Sequence, residues 1–315
     1  MYLKRYVLKR LAISIVTVLF ILLVLFLMLE FMPGSPFNDE KINATQRALL
    51  NAKYGLDQPL FVRFLNYIKA MLTGDFGVSY VIQKNMPIST MLHARLPVSL
   101  QIGFQAVLLG TVIGIILGIV AALKHNSFVD NLTTFISVIG VSFPSYVFAL
   151  ALSYFLASKL GWFPILYSAH KPIFSTILPT IALAMFTVAT VARFARSEMI
   201  EVLGSEYMLL SESKGVKRGR LILVHGLRNA LIPIITVLAP LIVSLMTGSL
   251  VVEQIFSIPG IGSLLVTAIQ VNDYNVILAL SFVYSVMFIV TMLIVDILYG
   301  VIDPRIRLAK GENHG

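Results

Sequence analysis

LPVSLQIGFQAVLLGTVIGIILGIVAAL, residues Leu96–Leu123, runs for 28 positions without one charged side chain. A bilayer core about 30 Å thick is crossed by about 20 apolar residues in helical conformation, each advancing about 1.5 Å. This stretch is long enough to cross. Within hydrocarbon the backbone must pair its own N–H and C=O groups, which leaves helices and closed barrels. Barrel strands are about ten residues of alternating polarity, and nothing here alternates. The run therefore predicts a membrane helix, with Gly110, Gly114 and Gly118 four apart along it, a spacing that suits close packing against another helix.

Five further runs extend the pattern. Leu11–Met32 carries a single acid, Glu30, near its end; Leu132–Ser158, Ile173–Ala192, Leu231–Val252 and Val276–Val295 carry no charge. Only 12% of the 315 residues are charged and 58% are hydrophobic, whereas soluble domains keep about a quarter charged. The expected fold class is all-α, a polytopic membrane protein of six transmembrane helices. The net charge of +9 does not point to nucleic acid, because the basic residues form no stripe interleaved with aromatics. With no cysteine, disulfides and thiolate metal sites are excluded.

Lys and Arg orient the spans. Alternate loops and the termini hold 15 of them, including Lys4, Arg5, Lys9, Arg10, the segment after the fourth span, and Arg305, Arg307 and Lys310; the opposite side holds 9, seven in the long loop Pro33–Arg95. Both termini are expected in the cytoplasm. The first apolar run is too long for a signal peptide and Met32-Pro33-Gly34-Ser35-Pro36 is no small-residue cleavage site, so it is expected to remain as an anchor. In the external loop Phe61, Phe64, Leu65, Ile68, Met71 and Leu72 recur at helical spacing. That helix suits packing on the outer ends of the spans; a docking surface for an external partner is the alternative.

Carriers driven by ion gradients need titrating or moving charge within the membrane. Five of the six spans have none, and Asp296 lies just past the last. The uncharged polar groups Gln101, Gln105, Ser137, Ser142, Thr187, Thr190, Thr236 and Ser244 suit helix contacts, with a few free to face a translocation route. Pro144, Pro179, Pro233 and Pro240 each remove a backbone hydrogen bond and mark kinks or hinges. No Gly-x-x-x-x-Gly-Lys-Ser/Thr occurs, so any ATPase belongs to a separate chain.

Between the fourth and fifth spans lies GSEYMLLSESKGVKRGRLILVHGLRNALIPI, Gly204–Ile234, rich in charge and glycine. Ser205 is placed to cap a short helix ending at Ser213, Glu206 sits at its positive end, and Lys214-Gly215 makes a helix stop. A second helix is expected after Gly219. Helix, glycine bend and helix would project into the cytosol.

The residues Tyr207, Ser211, Lys214, Gly215 and then His225-Gly226-Leu227-Arg228-Asn229-Ala230-Leu231-Ile232-Pro233 resemble the "EAA" loop of permease subunits in binding-protein-dependent ABC importers, and most of all the dipeptide/oligopeptide branch. Tyr54-Gly55-Leu56-Asp57-Gln58-Pro59-Leu60, Gly74-Asp75-Phe76-Gly77-Val78-Ser79-Tyr80, Glu253-Gln254-Ile255-Phe256-Ser257-Ile258-Pro259-Gly260-Ile261-Gly262, the Met32–Pro36 junction and Asp303-Pro304-Arg305-Ile306-Arg307 extend the likeness over nearly the whole chain. Leu209-Leu210-Ser211 stands where the motif has Glu-Ala-Ala, and Glu212 where the branch tends to be basic.

The resemblance implies a type I ABC importer permease fold in the bacterial cytoplasmic membrane. It divides the chain into an N-terminal helix with extracytoplasmic loop region (1–94), a five-helix core with coupling loop 193–230 (95–305), and a tail (306–315). It implies a second homologous permease, two ATPase subunits, an extracytoplasmic solute-binding protein and a peptide substrate, with membrane lipid around the chain and no nucleic acid. Catalytic residues and bound cofactors are not expected, ATP being hydrolysed by the partner subunits. The loop is implied to dock on an ATPase, Tyr207, Leu209 and Leu210 giving apolar contact and Glu206, Glu212, Lys214 and Lys217 a polar rim, with Ser211, Gly215, Arg228 and Asn229 in the same coupling site. A tight reversal beside another protein is the reading for Gly215. The alternatives are a permease for nickel or another small solute of that branch, a self-contained secondary carrier, and a non-transporting scaffold.

Overall fold

The structure is a computed structural model that describes residues 2–31, 57–246 and 250–302. The Met32–Pro36 junction, Tyr54-Gly55-Leu56, the Asp303–Arg307 motif and the 306–315 tail lie outside the described residues. In chain order the helices are α1 (Tyr2–Phe31), α2 (Leu60–Leu72), α3 (Ile88–Leu123), α4 (Phe128–Ser142), α5 (Ser145–Leu152, continued by a π-helical stretch Ser153–Lys159), α6 (Pro172–Ser175), α7 (Ile177–Leu203), α8 (Glu206–Ser213), α9 (Arg218–Arg220, continued by a π-helical stretch Leu221–Gly226), α10 (Leu227–Met246), α11 (Leu250–Ile255), α12 (Ile261–Gln270) and α13 (Tyr274–Ile302). Helix dominates; the one β feature among the described residues is an isolated antiparallel bridge, Val78 to Pro87. Among the described residues four helices are long and apolar enough to cross a membrane, Leu8–Met28, Ile88–Leu123, Ile177–Leu203 and Tyr274–Val295, and α4 with α5 makes a fifth if that bent pair is one span.

The chain divides into two compact units, residues 1–99 with 259–290, and 100–258 with 291–315. In the first, α2 runs antiparallel beside α1. Arg63 Nη1 lies 2.8 Å from Glu30 Oε1, and its guanidinium sits 5.8 Å from the Phe26 ring centroid. Phe64 and Tyr67 pack on that same ring at 5.5 and 6.4 Å. The apolar residues expected on one face of α2 are thus divided. Met71 is buried in a core with Ile88, Met91, Leu92, Ile261, Leu264, Val276 and Leu280, while Phe61, Leu65 and Leu72 stay exposed. Next to this core the fully buried Asp273 carboxylate accepts the Ser79 hydroxyl at 2.5 Å and the N–H groups of Tyr80, Val81 and Ile82 at 3.1, 3.0 and 3.1 Å. Four donors satisfy the charge that burial would otherwise penalise. That clamp fixes the loop ahead of α3 to the turn ahead of α13.

The second unit is organised around α7. Glycine sets its closest contacts: a Cβ built at Gly110, Gly114 or Gly118 of α3 would stand 2.6, 2.7 and 2.5 Å from the Cβ of Thr187, Val191 and Ala195. Both series rise by four, so α3 and α7 run parallel with their backbones in near contact. On α4, Gly140 makes the same approach to Ala189, at 2.6 Å. Ile234 of α10 packs on Val191 and Ala195, and Ala230 on Met199, so α10 runs antiparallel to α7. The small-residue spacing in the sequence had this physical cause, and its partner was α7.

Three spans differ from expectation. Leu132–Ser158 is not one straight helix, for the axis turns by 102° at Phe143-Pro144. Pro144, with ψ 147°, leaves the helical region and starts α5. Ile173–Ala192 is displaced: Pro172–Ser175 forms its own turn, and α7 begins at Ile177 and continues through Arg193 and Arg196 to Leu203. Pro179 therefore falls in the first helical turn, where its missing N–H had no intrahelical partner to lose, and marks no hinge. Pro233 and Pro240 are inside α10, which starts at Leu227, and 247–249 lie outside the described residues before α11. Among the polar span residues, Thr180 of α7 donates to Gln105 Oε1 of α3 at 3.1 Å, a contact between helices, and Ser137 donates to the Thr133 carbonyl at 2.9 Å, local to α4.

Candidate functional site

At the C-terminal end of α7 the chain turns through Gly204 and Ser205 into α8, eight residues from Glu206 to Ser213. Ser205 has the extended backbone of an N-cap, φ −76° and ψ 152°. Its hydroxyl does not cap, contrary to expectation. It donates back to the Val202 carbonyl at 2.5 Å, tying the turn to the end of α7. Glu206 occupies the first turn, where the helix dipole favours a carboxylate.

The far end of α8 closes in a Schellman arrangement. The Val216 N–H reaches the Ser211 carbonyl at 3.3 Å and the Gly215 N–H reaches Glu212 at 2.9 Å. Gly215 holds φ +78°, a left-handed conformation that costs other residues about 1–2 kcal/mol. A Cβ added there would meet nothing within 4 Å. Glycine is needed here for backbone conformation, and crowding by this chain has no part in it.

One side chain anchors the helix. Met208 is buried while Tyr207, Leu209 and Leu210 stand 42%, 59% and 56% exposed. The anchor point is Gly226, whose position lies close to both Met208 Cε and Met199 Cε: a Cβ there would be 3.8 and 3.4 Å from them. Sequence reasoning singled out the exposed neighbours and missed Met208, since eight residues with apolar side chains at 207–210 do not show which one turns inward. Ser211 Oγ donates to the Tyr207 carbonyl at 2.8 Å, a bond local to the helix, and Glu212, Lys214 and Lys217 are exposed around it. The second helix starts at Arg218, slightly before the expected place after Gly219, and passes through the π-helical Leu221–Gly226 without a break into α10. Arg228 and Asn229 stand in the first turn of α10; their side chains lie outside the described residues.

A second feature went unnoticed in the sequence. Arg196, eight residues before Gly204, grips Asp130 in the first turn of α4 with Nε at 2.5 Å and Nη2 at 2.9 Å. The Asn126 N–H adds a bond at 2.9 Å. The Asp130 side chain is 3% exposed and that of Arg196 28%. Sixty-six residues separate the partners, and no local spacing rule joins them. The helix that leads into α8 is thereby locked to α4.

These parts define a class: a polytopic helical membrane protein whose longest-buried helix leads into a short projecting helix with apolar residues turned outward. The comparisons with known proteins name it. The family model "Binding-protein-dependent transport system inner membrane component" matches residues 114–308, and the chain belongs to that family. The dipeptide transport system permease protein DppB of Lactococcus lactis subsp. cremoris is 43% identical over 96% of this chain and 99% of its own length. The oligopeptide transport system permease protein AppB of Bacillus subtilis is 38% identical over 96% of this chain and 98% of its own. In fold, a chain of the MetNI methionine ABC transporter in an inward-facing conformation matches with a TM-score of 0.53 at 13% identity, covering 68% of this chain and 96% of that one.

Proposed function

We propose that the chain is a permease subunit of an ATP-driven ABC importer that moves di- or oligopeptides across the cytoplasmic membrane. Near-full-length likeness to a dipeptide and an oligopeptide permease supports the substrate class. The chain works beside a second, homologous permease, two ATPase subunits and an extracytoplasmic solute-binding protein. ATP is bound and hydrolysed by the ATPases. The chain crosses the membrane six times with both termini in the cytoplasm; residues 1–94 form the anchor and external region, 95–305 the permease core and 306–315 the tail. The parallel run of α3 and α7 supports the count, for two parallel membrane helices require the chain between them to cross back, and α4 with the bent α5 is the segment available.

Coupling falls to α8 and the turn after it. The observation that carries this reading is the three large apolar side chains of α8 left exposed on a helix in which Met208 is the buried side chain. A short polar-rimmed helix with an outward apolar face fits a groove on a partner protein. Tyr207, Leu209 and Leu210 enter that groove, Glu206, Glu212 and Lys214 line its edge, Ser211 and Gly215 shape the helix end, and Arg228 and Asn229 carry displacement into α10. Co-purification with the cognate ATPases tests it. Gly215→Asp, which puts a side chain and a negative charge on the turn at φ +78°, is expected to lower ATPase recovery at least tenfold while the chain still reaches the membrane. Undiminished recovery overturns the coupling role.

A further inference from the structure

Inside the second unit the chain interrupts its helical bonding at membrane depth. Phe143, with φ −96° and ψ 129°, and Pro144, with φ −60° and ψ 147°, are consecutive extended residues between α4 and α5. An i to i+4 bond cannot bridge two extended residues, and Pro144 has no N–H to give. The last bond of α4 runs from the Phe143 N–H to the Ile139 carbonyl at 3.1 Å, and the Val147 N–H opens α5 on the Pro144 carbonyl at 3.0 Å. The carbonyls of Gly140, Val141 and Ser142 are left without helical donors. The break is deep. α4 runs antiparallel to α7, since Asp130 meets Arg196 and Gly140 approaches Ala189. About 18 Å of helix axis separates Ala189 from Ile177, and Phe143 lies about 4.5 Å further toward that end, which leaves about 14 Å. In the other direction about 20 Å of α4 separates Phe143 from Asp130. Against a hydrocarbon core about 30 Å thick, both distances put the break near the middle.

Ser142, Phe143, Pro144 and Tyr146 are all exposed there. Lipid offers a carbonyl no donor, so non-helical backbone at this depth is held either against protein or along a water-filled cavity. A second helix fits poorly. Helix contacts in membranes rely on small residues that let backbones approach. The small residues of this segment face inward: Gly140 stands against Ala189, and Ala149 is fully buried. The exposed side is framed by the rings of Phe143 and Tyr146, which hold another backbone away from the carbonyls while water and a slender solute pass between them. Tyr146, Leu150 and Tyr154 continue the exposed face along α5 and its π-helical extension, at 102° to the axis of α4. The two phenols on that face are satisfied by water or a polar solute and not by hydrocarbon.

We propose that the α4–α5 break lines the water-filled route through the membrane and touches the solute there, a proposal that rests on the peptide-importer reading for its substrate. The carbonyls of Val141 and Ser142 accept from main-chain N–H groups and the terminal ammonium of the peptide, and the negative end of the α4 dipole favours that ammonium. Phe143 and Tyr146 meet the peptide side chains. Main-chain contacts are alike for every peptide and admit many sequences; the two rings limit the size of side chain that passes.

The test uses the complete complex in native membranes, with single thiols placed in a chain that has none of its own. Phe143→Cys and Ser142→Cys are expected to react with the water-soluble reagent 2-sulfonatoethyl methanethiosulfonate at least tenfold faster than Phe104→Cys or Phe20→Cys, exposed positions on the unbroken helices α3 and α1, because a thiol forms the reactive thiolate in water and not in hydrocarbon. Uptake is then compared for dialanine and diphenylalanine. Tyr146→Ala is expected to raise diphenylalanine relative to dialanine at least threefold with ATPase recovery at the wild-type level, and Tyr146→Trp to lower it, which keeps the test open if the smaller side chain impairs folding. Labelling at the control rate for both thiols overturns the proposal. So does an uptake ratio unmoved by both Tyr146 substitutions, or a photo-crosslinker at Phe143 that captures a second polypeptide. If the wild-type complex imports neither dipeptide, the peptide reading falls and the peptide contact with it; normal import with slow labelling removes this proposal alone.

Discussion

The Asp130–Arg196 pair gives the sharpest energetic prediction. Arg196→Leu leaves a carboxylate that is 3% exposed with only the Asn126 N–H as partner. Removing one member of a buried pair costs about 3–5 kcal/mol, and the 28% exposure of Arg196, which admits some water, sets the expectation near the lower end, about 3 kcal/mol. Asp130→Asn keeps the shape and removes the charge-assisted bidentate contact, for about 1.5–2.5 kcal/mol. Once one partner is gone the other has little left to lose. The double variant should therefore cost no more than about 3 kcal/mol, a coupling of about 1.5–2.5 kcal/mol, whereas independent sites add within about 0.5 kcal/mol. The assay is reversible unfolding of the detergent-solubilised chain by SDS titration, followed by far-ultraviolet circular dichroism. Additive costs, or an Arg196→Leu loss below about 1 kcal/mol, would refute the claim that the pair locks α7 to α4.

Other consequences follow from packing and polar satisfaction. Gly114→Leu places a Cβ 2.7 Å from that of Val191, against about 3.5–4.0 Å for ordinary carbon contact, and should cost about 1–3 kcal/mol in the same titration; a neutral result contradicts the close α3–α7 approach. Asp273→Ala deprives four buried or half-buried donors of their acceptor and is expected to speed proteolysis within residues 79–86 at least tenfold. Wild-type cleavage rates there would show that the clamp is dispensable.

The sequence revealed some of this better than the rest, for physical reasons. Membrane helices announce themselves because about twenty uncharged residues in a row have few other uses, and α1, α3 and α13 were found that way. Position along α7 was harder. Arg193 and Arg196 end an apolar run, yet the helix continues, since Arg196 is neutralised by an acid 66 residues away. Pro144 signalled a break without giving its 102° size, and Pro179 signalled one where the first turn needs no N–H. For α2 the helical spacing was legible, but amphipathic pattern does not identify the surface a helix leans on; α1 proved to be that surface. In the α8 region the helix, its stop and Gly215 were readable from propensity. Met208 was not, because its burial depends on Gly226 and Met199 arriving from other segments.

The absence of cysteine from the sequence makes one direct measurement possible. Leu210→Cys introduces a single thiol on the exposed side of α8, and a short bifunctional reagent is applied to the assembled complex in inside-out membrane vesicles. The account predicts a crosslinked product between this chain and an ATPase subunit, changed in yield by ATP and absent when the thiol is placed at Leu72. No product with any ATPase, together with labelling of Leu210→Cys by a membrane-impermeant maleimide from the outside of intact cells, would contradict it.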